Sequence, residues 1–214
     1  MTSAETEFLM GLLELQYGEK VVSTLKRLSE QVSWARGWPE EKSAFWNGEA
    51  FMWNHKIERA IRDSIRKELE VLQGGKNLDL GCGAYSYVPS VGFDISPKML
   101  QYNEQCREKV VGDIENGLPF ADSSFDSVTA VFLLNYVRNY SLMLREAHRV
   151  LKKRGVVVMV LSAQGVNDWQ KQKEVTVLSV EEWKNVMQEA GFLVRSKKEK
   201  RLWFLWGEKR DKSE

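Results

Sequence analysis

Two glycines and a carboxylate occur in the order expected of a nucleotide-type cofactor site. The segment Asn77 to Ala84 has the character of a buried strand containing Asp79, followed by a turn with Gly81 and Gly83. Glycines let the backbone approach a ligand closely, and open α/β sheets bind ligands beyond the carboxyl ends of their strands. A tight strand-to-helix turn without a ligand would use the same residues, so the glycines alone do not decide between the two.

Two further acidic residues follow at the ends of later strands. Asp94 comes fifteen positions after Asp79, and Asp113 follows a short strand that ends at Val111. An acid at the end of a second strand can accept hydrogen bonds from both hydroxyls of a ribose. Because three successive strands carry an acid at the same edge of one sheet, we interpret them as parts of one cofactor site.

A nicotinamide-dependent dehydrogenase is the competing interpretation. Its fingerprint is Gly-x-Gly-x-x-Gly, with the glycines opening a long helix. In this sequence no third glycine occurs before Gly92, and an acid precedes the first glycine of the turn. The glycine turn therefore departs from the dehydrogenase fingerprint.

The segment from about Asn77 to Gly207 resembles the class I S-adenosylmethionine-dependent methyltransferases, of the small-molecule type with an N-terminal helical cap. The family's first motif is matched by Asp79-Leu-Gly-Cys-Gly. The second motif is matched by Phe93 to Leu100 and the third by Gly112-Asp113-Ile114, and the family pattern continues at Leu118 to Val128, Arg145 to Gly155 and Ser179 to Phe192.

The resemblance implies that S-adenosylmethionine binds as the cofactor and leaves as S-adenosylhomocysteine. The first motif would bind its methionine part, Asp94 its ribose, and Asp113 would lie next to its adenine amino group. The residues predicted to bind the cofactor are Asp79, Gly81, Cys82, Gly83, Asp94, Ile95, Ser96, Met99, Asp113, Ile114 and Leu133.

The first motif departs from the family pattern at its end. Tyr85 replaces the usual third glycine, and only ten residues separate Gly83 from Asp94, which leaves almost no room for a helix. We therefore expect residues 84–89 to cross to the second strand as a short turn. The tyrosines at 85 and 87 would either lie over the cofactor or pack the shortened crossover.

Few residues are candidates for a catalytic group. Methyl transfer is an in-line displacement at a sulfonium carbon, so much of the catalysis can come from positioning, and a base is needed only if the acceptor must lose a proton. The two candidates are His55, near the start of a helix of the cap, and Tyr136, after the fourth strand. We interpret His148, the other histidine, as structural.

The methyl acceptor is expected to contact aromatic and polar residues around the same edge of the sheet. Tryptophans are concentrated near the front of the chain, and the same aromatics would pack a hydrophobic cap equally well. The loop at residues 164–170 follows the fifth strand and is a further candidate wall. The residues predicted to bind the acceptor are Trp46, Trp53, Tyr85, Asn135 and Trp169.

The elements that must position these residues change in character at Lys76. Short β-type runs then alternate with helical runs, which predicts an α/β fold with βαβ units. We expect a Rossmann-like, mostly parallel sheet of seven strands with an antiparallel C-terminal hairpin at its edge. The predicted strands are 77–80, 90–93, 109–111, 125–131, 155–161, 193–198 and 201–207, and the predicted helices are 97–107, 140–151 and 180–190.

The N-terminal third of the chain is predicted to be helical, with a break at residues 35–39. A second long helix is expected from about Glu49, with Ile57, Ile61 and Ile65 stacked four residues apart on one face. We divide the chain into a helical cap at residues 1–72 and a methyltransferase core at residues 73–214.

Composition excludes several classes of protein. The chain has 214 residues, a formal net charge of +1 and 43% hydrophobic residues, which suits a globular protein and rules out a disordered one. The near-neutral charge disfavours nucleic acid as a partner, and we interpret the basic clusters at 152–154 and 195–201 as solvated surface. Cys82 and Cys106 lie in different sequence contexts and suggest neither a disulfide framework nor a zinc site, so no metal is expected.

No apolar stretch reaches the roughly 20 residues that a membrane helix needs, and the N-terminus is acidic. Both features predict a soluble, cytoplasmic protein that does not enter a membrane. The resemblance implies a methyl transfer from S-adenosylmethionine to a small-molecule acceptor. An RNA or protein methyltransferase is the alternative enzyme, and a non-catalytic module that binds S-adenosylmethionine is the alternative of a different class. The acceptor and the oligomeric state are not predicted.

Overall fold

The computed structural model describes residues 1–16, 21–162 and 171–210. In these residues four α-helices precede a region in which strands and helices alternate. The helices are α1 (Ser3–Gln16), α2 (Val22–Ser29), α3 (Lys42–Lys56), α4 (Arg59–Leu69), α5 (Pro97–Tyr102), α6 (Tyr140–Val150) and α7 (Val180–Glu189). The strands are β1 (Asn77–Leu80), β2 (Ser90–Asp94), β3 (Cys106–Val111), β4 (Phe125–Val131), β5 (Leu151–Ser162), β6 (Phe192–Glu199) and β7 (Leu202–Lys209).

The seven strands form one sheet in the order β3-β2-β1-β4-β5-β7-β6. The first five are parallel, so their carboxyl ends meet at one edge. β7 runs antiparallel between β5 and β6. The strand order changes direction between β1 and β4, and α/β sheets bind ligands at such a switch point. The predicted fold class, including the antiparallel hairpin at the C-terminal edge, is confirmed.

The helix predicted at residues 97–107 is wrong in its second half. It ends at Tyr102, and β3 begins at Cys106 instead of Lys109. Asn103 provides the reason, because its side-chain oxygen accepts a hydrogen bond from the backbone N–H of Gln105 at 3.2 Å. This bond turns the chain out of the helix and into the strand.

The same asparagine fixes the crossover between β1 and β2. Its amide nitrogen donates to the carbonyl of Gly83 and to the hydroxyl of Ser86, each at 3.0 Å, and its oxygen accepts from the N–H of Ser86 at 3.3 Å. As predicted, the crossover at residues 84–89 contains no helix. A buried side chain thus satisfies the backbone polar groups that a helix would otherwise pair.

The long helix predicted from Glu49 is also wrong in its extent. The structure has two helices, α3 and α4, separated at Ile57, whose backbone is extended. Ile57 packs with Trp53 on one surface, whereas Ile61 and Ile65 pack on the sheet. The helix is interrupted here because the apolar residues before and after the interruption pack against two different surfaces.

Helices α1 to α3 enclose a core of their own, which includes Phe8, Leu12, Leu25 and Trp38. Helix α4 instead covers one face of the sheet and packs on β5 and β7. In the part of the chain that the structure describes, no helix combines the length and apolar character that crossing a membrane requires.

Candidate cofactor site

A cavity of about 640 Å³, including its opening to solvent, lies at the carboxyl ends of β1, β2 and β4. Its walls come from the glycine turn, the ends of three strands and helix α3. The lining residues are Lys42, Trp46, Trp53, Gly81, Gly83, Phe93, Asp94, Ile95, Met99, Gly112, Asp113, Ile114, Glu115, Val131, Phe132, Leu133, Tyr136 and Val137.

Two positions of the turn after β1, those of Gly81 and Gly83, strongly favour a residue without a side chain. Gly81 and Gly83 have φ angles of +55° and +57°, in the region that favours glycine. A Cβ at position 81 would lie 2.5 Å from Cδ1 of Leu133, and one at position 83 would lie 3.0 Å from Nε1 of Trp53. The turn therefore presents bare backbone to the cavity, as close approach of a ligand requires.

Asp94 connects this turn to the end of β2. Its Oδ2 accepts a hydrogen bond from the N–H of Gly83 at 2.9 Å, and its Oδ1 accepts one from the N–H of Ser96 at 2.8 Å. Burial raises the pKa of Asp94 to about 6, although these two bonds oppose the shift. Each carboxylate oxygen retains a second acceptor position, so the group can also accept hydrogen bonds from a ligand in the cavity.

Asp79 lies beneath the turn and does not line the main cavity. Its Oδ1 accepts a hydrogen bond from Thr129 of β4 at 2.7 Å, and the same Thr129 accepts one from Asn77 at 3.0 Å. Burial raises the pKa of Asp79 to about 6. Its position suits a supporting role, in which it links β1 to β4 below the glycine turn.

Asp113, at the far end of the cavity, is bonded to the cap. Lys42, the first residue of α3, donates hydrogen bonds to Asp113 at 3.0 Å and to Glu115 at 2.7 Å. Burial alone lowers the pKa of Lys42, but these bonds outweigh it and raise the pKa above its ordinary value. An ion-pair network thus joins the cap to the position where the resemblance places the adenine.

Three aromatic side chains form the wall that α3 and β4 contribute. Trp46 packs edge-to-face against Trp53 with ring centroids 6.2 Å apart, and against Tyr136 with centroids 4.9 Å apart. Burial raises the pKa of Tyr136, and the nearby carboxylates of Glu174 and Glu49 add to the shift. At neutral pH the phenol therefore keeps its proton and can donate a hydrogen bond.

The chain after β4 has an unusual backbone conformation at Phe132, beside the cavity. Its φ is +56°, which is strained for a residue with a side chain. The chain turns here immediately before Leu133, which lies against Gly81. Both residues line the cavity, and nothing in the sequence marks Phe132 as unusual.

A second chamber of about 920 Å³, including its opening to solvent, adjoins the cavity. The two share Lys42, Trp46, Glu115 and Tyr136 as a common wall. Phe45 and Val175 add apolar surface to the chamber, and its other lining residues are charged or polar: Glu40, Arg138, Gln172 and Lys173.

Most of the predicted cofactor residues converge on the cavity, and three have other surroundings. Asp79 and Cys82 line a small cleft beside it, and Cys82 is hydrogen-bonded to Cys106. Ser96 caps α5 and donates to Asn47 of α3 at 2.7 Å. The cavity is lined by the other eight: Gly81, Gly83, Asp94, Ile95, Met99, Asp113, Ile114 and Leu133.

The predicted acceptor and catalytic residues lie in several different places. Trp46, Trp53 and Tyr136 line the cavity. Tyr85 lies in the small cleft and accepts a hydrogen bond from Arg66. The side-chain amide of Asn135 donates to Glu174 at 3.0 Å.

Some predictions fall outside the described part of the chain. The side chain of His55 and the whole of Trp169, with the loop at 164–170, lie outside the described residues. His148 packs edge-to-face on Phe192 at a centroid distance of 5.3 Å, which agrees with a structural role.

Sequence reasoning missed two charged residues of the site. Glu115 stands two positions after Asp113 and had a local signal, since it extends the third motif. Lys42 had none, because it precedes Asp113 by 71 positions and only the packing of the cap brings the two together.

The sheet order is that of the class I S-adenosylmethionine-dependent methyltransferase fold, and the cavity lies at the switch point of the sheet. Residues 78–159 match a family model described as a methyltransferase domain.

Relatives with established names share this part of the chain. The demethylmenaquinone methyltransferase of Staphylococcus epidermidis is 35% identical over 127 residues, which cover 51% of this chain and 51% of that protein. The enzyme of the same name from Geobacillus kaustophilus is 31% identical over 121 residues, covering 48% of this chain and 52% of that protein. This chain thus spans about half the length of these relatives.

Solved structures share the fold. A methyltransferase from Archaeoglobus fulgidus superposes with a TM-score of 0.62 at 15% identity, over 75% of this chain and 99% of that one. A protein from Thermotoga maritima described as a possible histamine N-methyltransferase gives 0.59 at 21% identity, over 76% and 94%. A third, from Haloferax volcanii in complex with the activator Trm112, gives 0.61 at 18%, over 76% and 96%. Identities this low show the fold alone.

Proposed function

We propose that the protein transfers a methyl group from S-adenosylmethionine to a small-molecule acceptor. The observation that carries this proposal is the cavity at the switch point of the sheet, which adjoins a second chamber and shares Lys42, Trp46, Glu115 and Tyr136 with it. A donor and an acceptor would then bind in adjoining spaces that have these side chains in common.

The residues of the cavity suit the parts of the donor. Bare backbone at Gly81 and Gly83 fits the methionine portion, Asp94 offers acceptor positions to the ribose hydroxyls, and Asp113 lies at the adenine end. When bound, S-adenosylmethionine supplies an electrophilic methyl group on a cationic sulfur. The chain's own contribution is to orient donor and acceptor and to exclude water, which are large terms in displacement reactions.

The second chamber limits the kind of acceptor. Phe45, Trp46 and Tyr136 form an aromatic wall, and most of the remaining lining is charged or polar, which favours a planar molecule that carries polar groups. The proton of Tyr136 can orient an oxygen or nitrogen of that molecule. Because the curated relatives are named as demethylmenaquinone methyltransferases, a reduced demethylated naphthoquinone is the first acceptor to test.

Titration calorimetry tests the first step of the proposal. We expect binding of both S-adenosylmethionine and S-adenosylhomocysteine, and binding of neither would contradict the assignment. Asp94→Ala should weaken binding roughly tenfold or more, since a hydrogen bond to a charged group contributes about 1.5 to 3 kcal/mol. Asp122→Ala is the matched control, because this exposed aspartate pairs with Arg149 far from the cavity.

Transfer of a radiolabelled methyl group tests the second step. The acceptors are the reduced naphthoquinone, catechols and aromatic amines, with bulk tRNA and a denatured protein extract as alternatives. Label in a small molecule supports the proposal, and label in the macromolecules contradicts it. Donor binding without transfer to any acceptor would favour the non-catalytic module.

A further inference from the structure

The two cysteines of the chain lie side by side beneath the glycine turn. The Sγ atoms of Cys82 and Cys106 are 4.0 Å apart, although the residues are 24 positions apart in sequence. Both are free thiols, with 5% and 7% of their surfaces exposed. Cys82 stands between the two glycines that face the donor cavity, and Cys106 begins β3, at the edge of the sheet.

Gly92 of β2 makes this proximity possible. A Cβ at position 92 would lie 2.3 Å from Sγ of Cys106 and 3.0 Å from Sγ of Cys82. Both sulfurs therefore rest on the same bare stretch of backbone. A disulfide has an S–S distance of about 2.05 Å, so closing the gap needs a shift of roughly 2 Å shared between the two residues.

The surroundings distinguish the two thiols chemically. The hydrogen bond between the cysteines and burial raise the pKa of Cys82. The same bond, together with one from Ser86, lowers the pKa of Cys106. Because the thiolate is the reactive form, we expect Cys106 to be the first of the two thiols to react with an oxidant.

We propose that Cys82 and Cys106 are a modification site, which a peroxide oxidises to an intramolecular disulfide that weakens donor binding. The thiolate of Cys106 attacks one peroxide oxygen, the O–O bond breaks, and the leaving hydroxide takes a proton to become water. Cys82 then attacks the sulfur of the resulting sulfenic acid, the S–O bond breaks, and a second water leaves. One peroxide is reduced to two waters while two thiols lose two electrons.

The disulfide would act on the donor cavity through the backbone. Moving Cys82 towards Cys106 displaces its neighbour Gly83, whose N–H donates to Asp94 at 2.9 Å. It also disturbs the carbonyls of Cys82 and Gly83, which accept from Asn103. The glycine turn and the acid that should bind the ribose are thus changed together.

The formation of the disulfide is independent of the proposed function, whereas its effect on affinity rests on it. We therefore expect two results after treatment of the full chain with hydrogen peroxide. Peptide mass spectrometry should find residues 82 and 106 cross-linked, with the loss of two hydrogen atoms. Calorimetry should show affinity for S-adenosylmethionine reduced about tenfold, within the usual range of coupling between sites, and restored by dithiothreitol.

Cys106→Ser is the matched variant, because Cys106 does not line the donor cavity. Reduced Cys106→Ser should bind the donor like the wild type, and peroxide should leave its affinity unchanged. Coupling of equilibria is reciprocal, so saturating S-adenosylhomocysteine should shift the balance between dithiol and disulfide in a glutathione redox buffer towards the dithiol.

Each opposite result overturns the proposal. Two thiols that remain separate after peroxide treatment exclude the modification site, and a disulfide that leaves donor affinity unchanged excludes its effect. If the reduced protein binds no donor, the proposed function fails. The cross-link is then tested by mass spectrometry, and its effect on the turn by hydrogen exchange at residues 81–89.

Discussion

The carboxylate of Asp94 both stabilises the fold and offers hydrogen-bond acceptors to the proposed ligand. Its two oxygens accept hydrogen bonds from the backbone on either side of the cavity, at Gly83 and Ser96, and still have acceptor positions to offer. The cost is burial, which raises its pKa to about 6. A group that ionises near pH 6 would make binding of the proposed donor sensitive to pH.

Donor affinity should therefore fall as the pH drops through about 6. The carboxylate accepts hydrogen bonds from ribose hydroxyls, whereas the protonated acid loses acceptor capacity, so binding favours the ionised form. Calorimetry with S-adenosylhomocysteine from pH 8 to pH 5 measures the change. The Asp94→Asn variant should bind more weakly at every pH and lack this step, and an identical pH profile in both proteins would contradict the assignment.

The ionisation of Asp94 changes the stability of the free protein in the opposite direction to donor affinity. Because the pKa of Asp94 is higher in the folded protein than its usual value near 3.8, the folded state binds more protons between about pH 4 and pH 6. The contribution of this residue to unfolding free energy is thus largest below pH 4 and declines as the pH rises through 6.

A side chain at position 81 would be disfavoured both by the backbone conformation and by the lack of room beside Leu133. Gly81→Ala places a side chain at a φ of +55°, and its Cβ would lie 2.5 Å from Leu133, which lines the cavity. Left-handed backbone costs about 1 to 2 kcal/mol for a residue with a side chain. Leu133 must also move, so we expect lower thermal stability together with markedly weaker donor binding.

Gly117→Ala is the control for this prediction. Gly117 has a φ of +89°, but a Cβ there meets nothing closer than 3.6 Å, at Glu146. Its ψ of 178° places it in a region that is essentially restricted to glycine, so the variant should lose at least as much stability in a thermal melt while binding the donor normally. Equal losses of affinity in both variants would show that backbone strain alone, and not crowding at the cavity, is responsible.

At the scale of elements, helix α3 is the part of the cap that reaches the site. Its first residue bonds to Asp113 and Glu115, and the aromatic residues Trp46 and Trp53 lie on later turns. Helices α1 and α2 pack on its other side around Phe8, Leu12 and Leu25. Helices α1 to α3 thus share one core, and α3 also contributes side chains to the cavity.

Lys42→Met should loosen this contact. Exposed ion pairs contribute about 0 to 1 kcal/mol each, so we expect donor dissociation to become roughly two- to fivefold faster with little change in thermal stability. Stopped-flow tryptophan fluorescence can follow this rate, since Trp46 and Trp53 line the cavity. Lys26→Met, which removes the pair with Glu40 on the cap, is the control and should leave dissociation unchanged.

Over the whole molecule, the charges of the C-terminal hairpin are largely satisfied within the protein. Lys197 pairs with Glu68 and with Glu199, and Arg201 lies 3.8 Å from Glu58. Arg195 lies over the ring of Trp206 at 5.0 Å. A net charge of +1 and these intramolecular contacts leave little driving force for binding a polyanion.

We therefore expect no mobility shift of bulk tRNA at physiological salt. At low salt, any residual association should be weak and should disappear with a shallow dependence on salt, because few phosphates can be neutralised. Tight binding with a steep dependence would contradict the interpretation of the hairpin as solvated surface and would favour the RNA methyltransferase.

The local parts of the site follow from the sequence because each is contained in a few consecutive residues. The strand and glycine turn at Asn77 to Gly83, and the acids at 94 and 113, are short-range features whose place at a common edge follows from parallel strands. The two errors in helix extent, at Tyr102 and Ile57, involve residues that also make contacts with distant parts of the chain. Asn103 bonds across to the crossover loop, and Ile57 packs on a different surface from Ile61.

Only the tertiary structure decides what the tryptophans do. Trp34 and Trp38 pack edge-to-face on Phe8 in the core of the cap, each at a centroid distance of 5.6 Å, and Trp38 is only 2% exposed. Trp46 and Trp53 line the donor cavity instead. Composition and spacing cannot separate these pairs, because both lie in one aromatic stretch and differ only in the surface they face.

The sequence by itself determined the fold class, the glycine turn and the acids at the strand ends, since these depend on local conformation and on the rules of parallel sheets. Only the tertiary structure decided that Lys42 bonds to Asp113 and that Cys82 meets Cys106. Contacts between residues far apart in sequence depend on how helices pack and loops close. That packing is a property of the assembled core and leaves no local pattern in the chain.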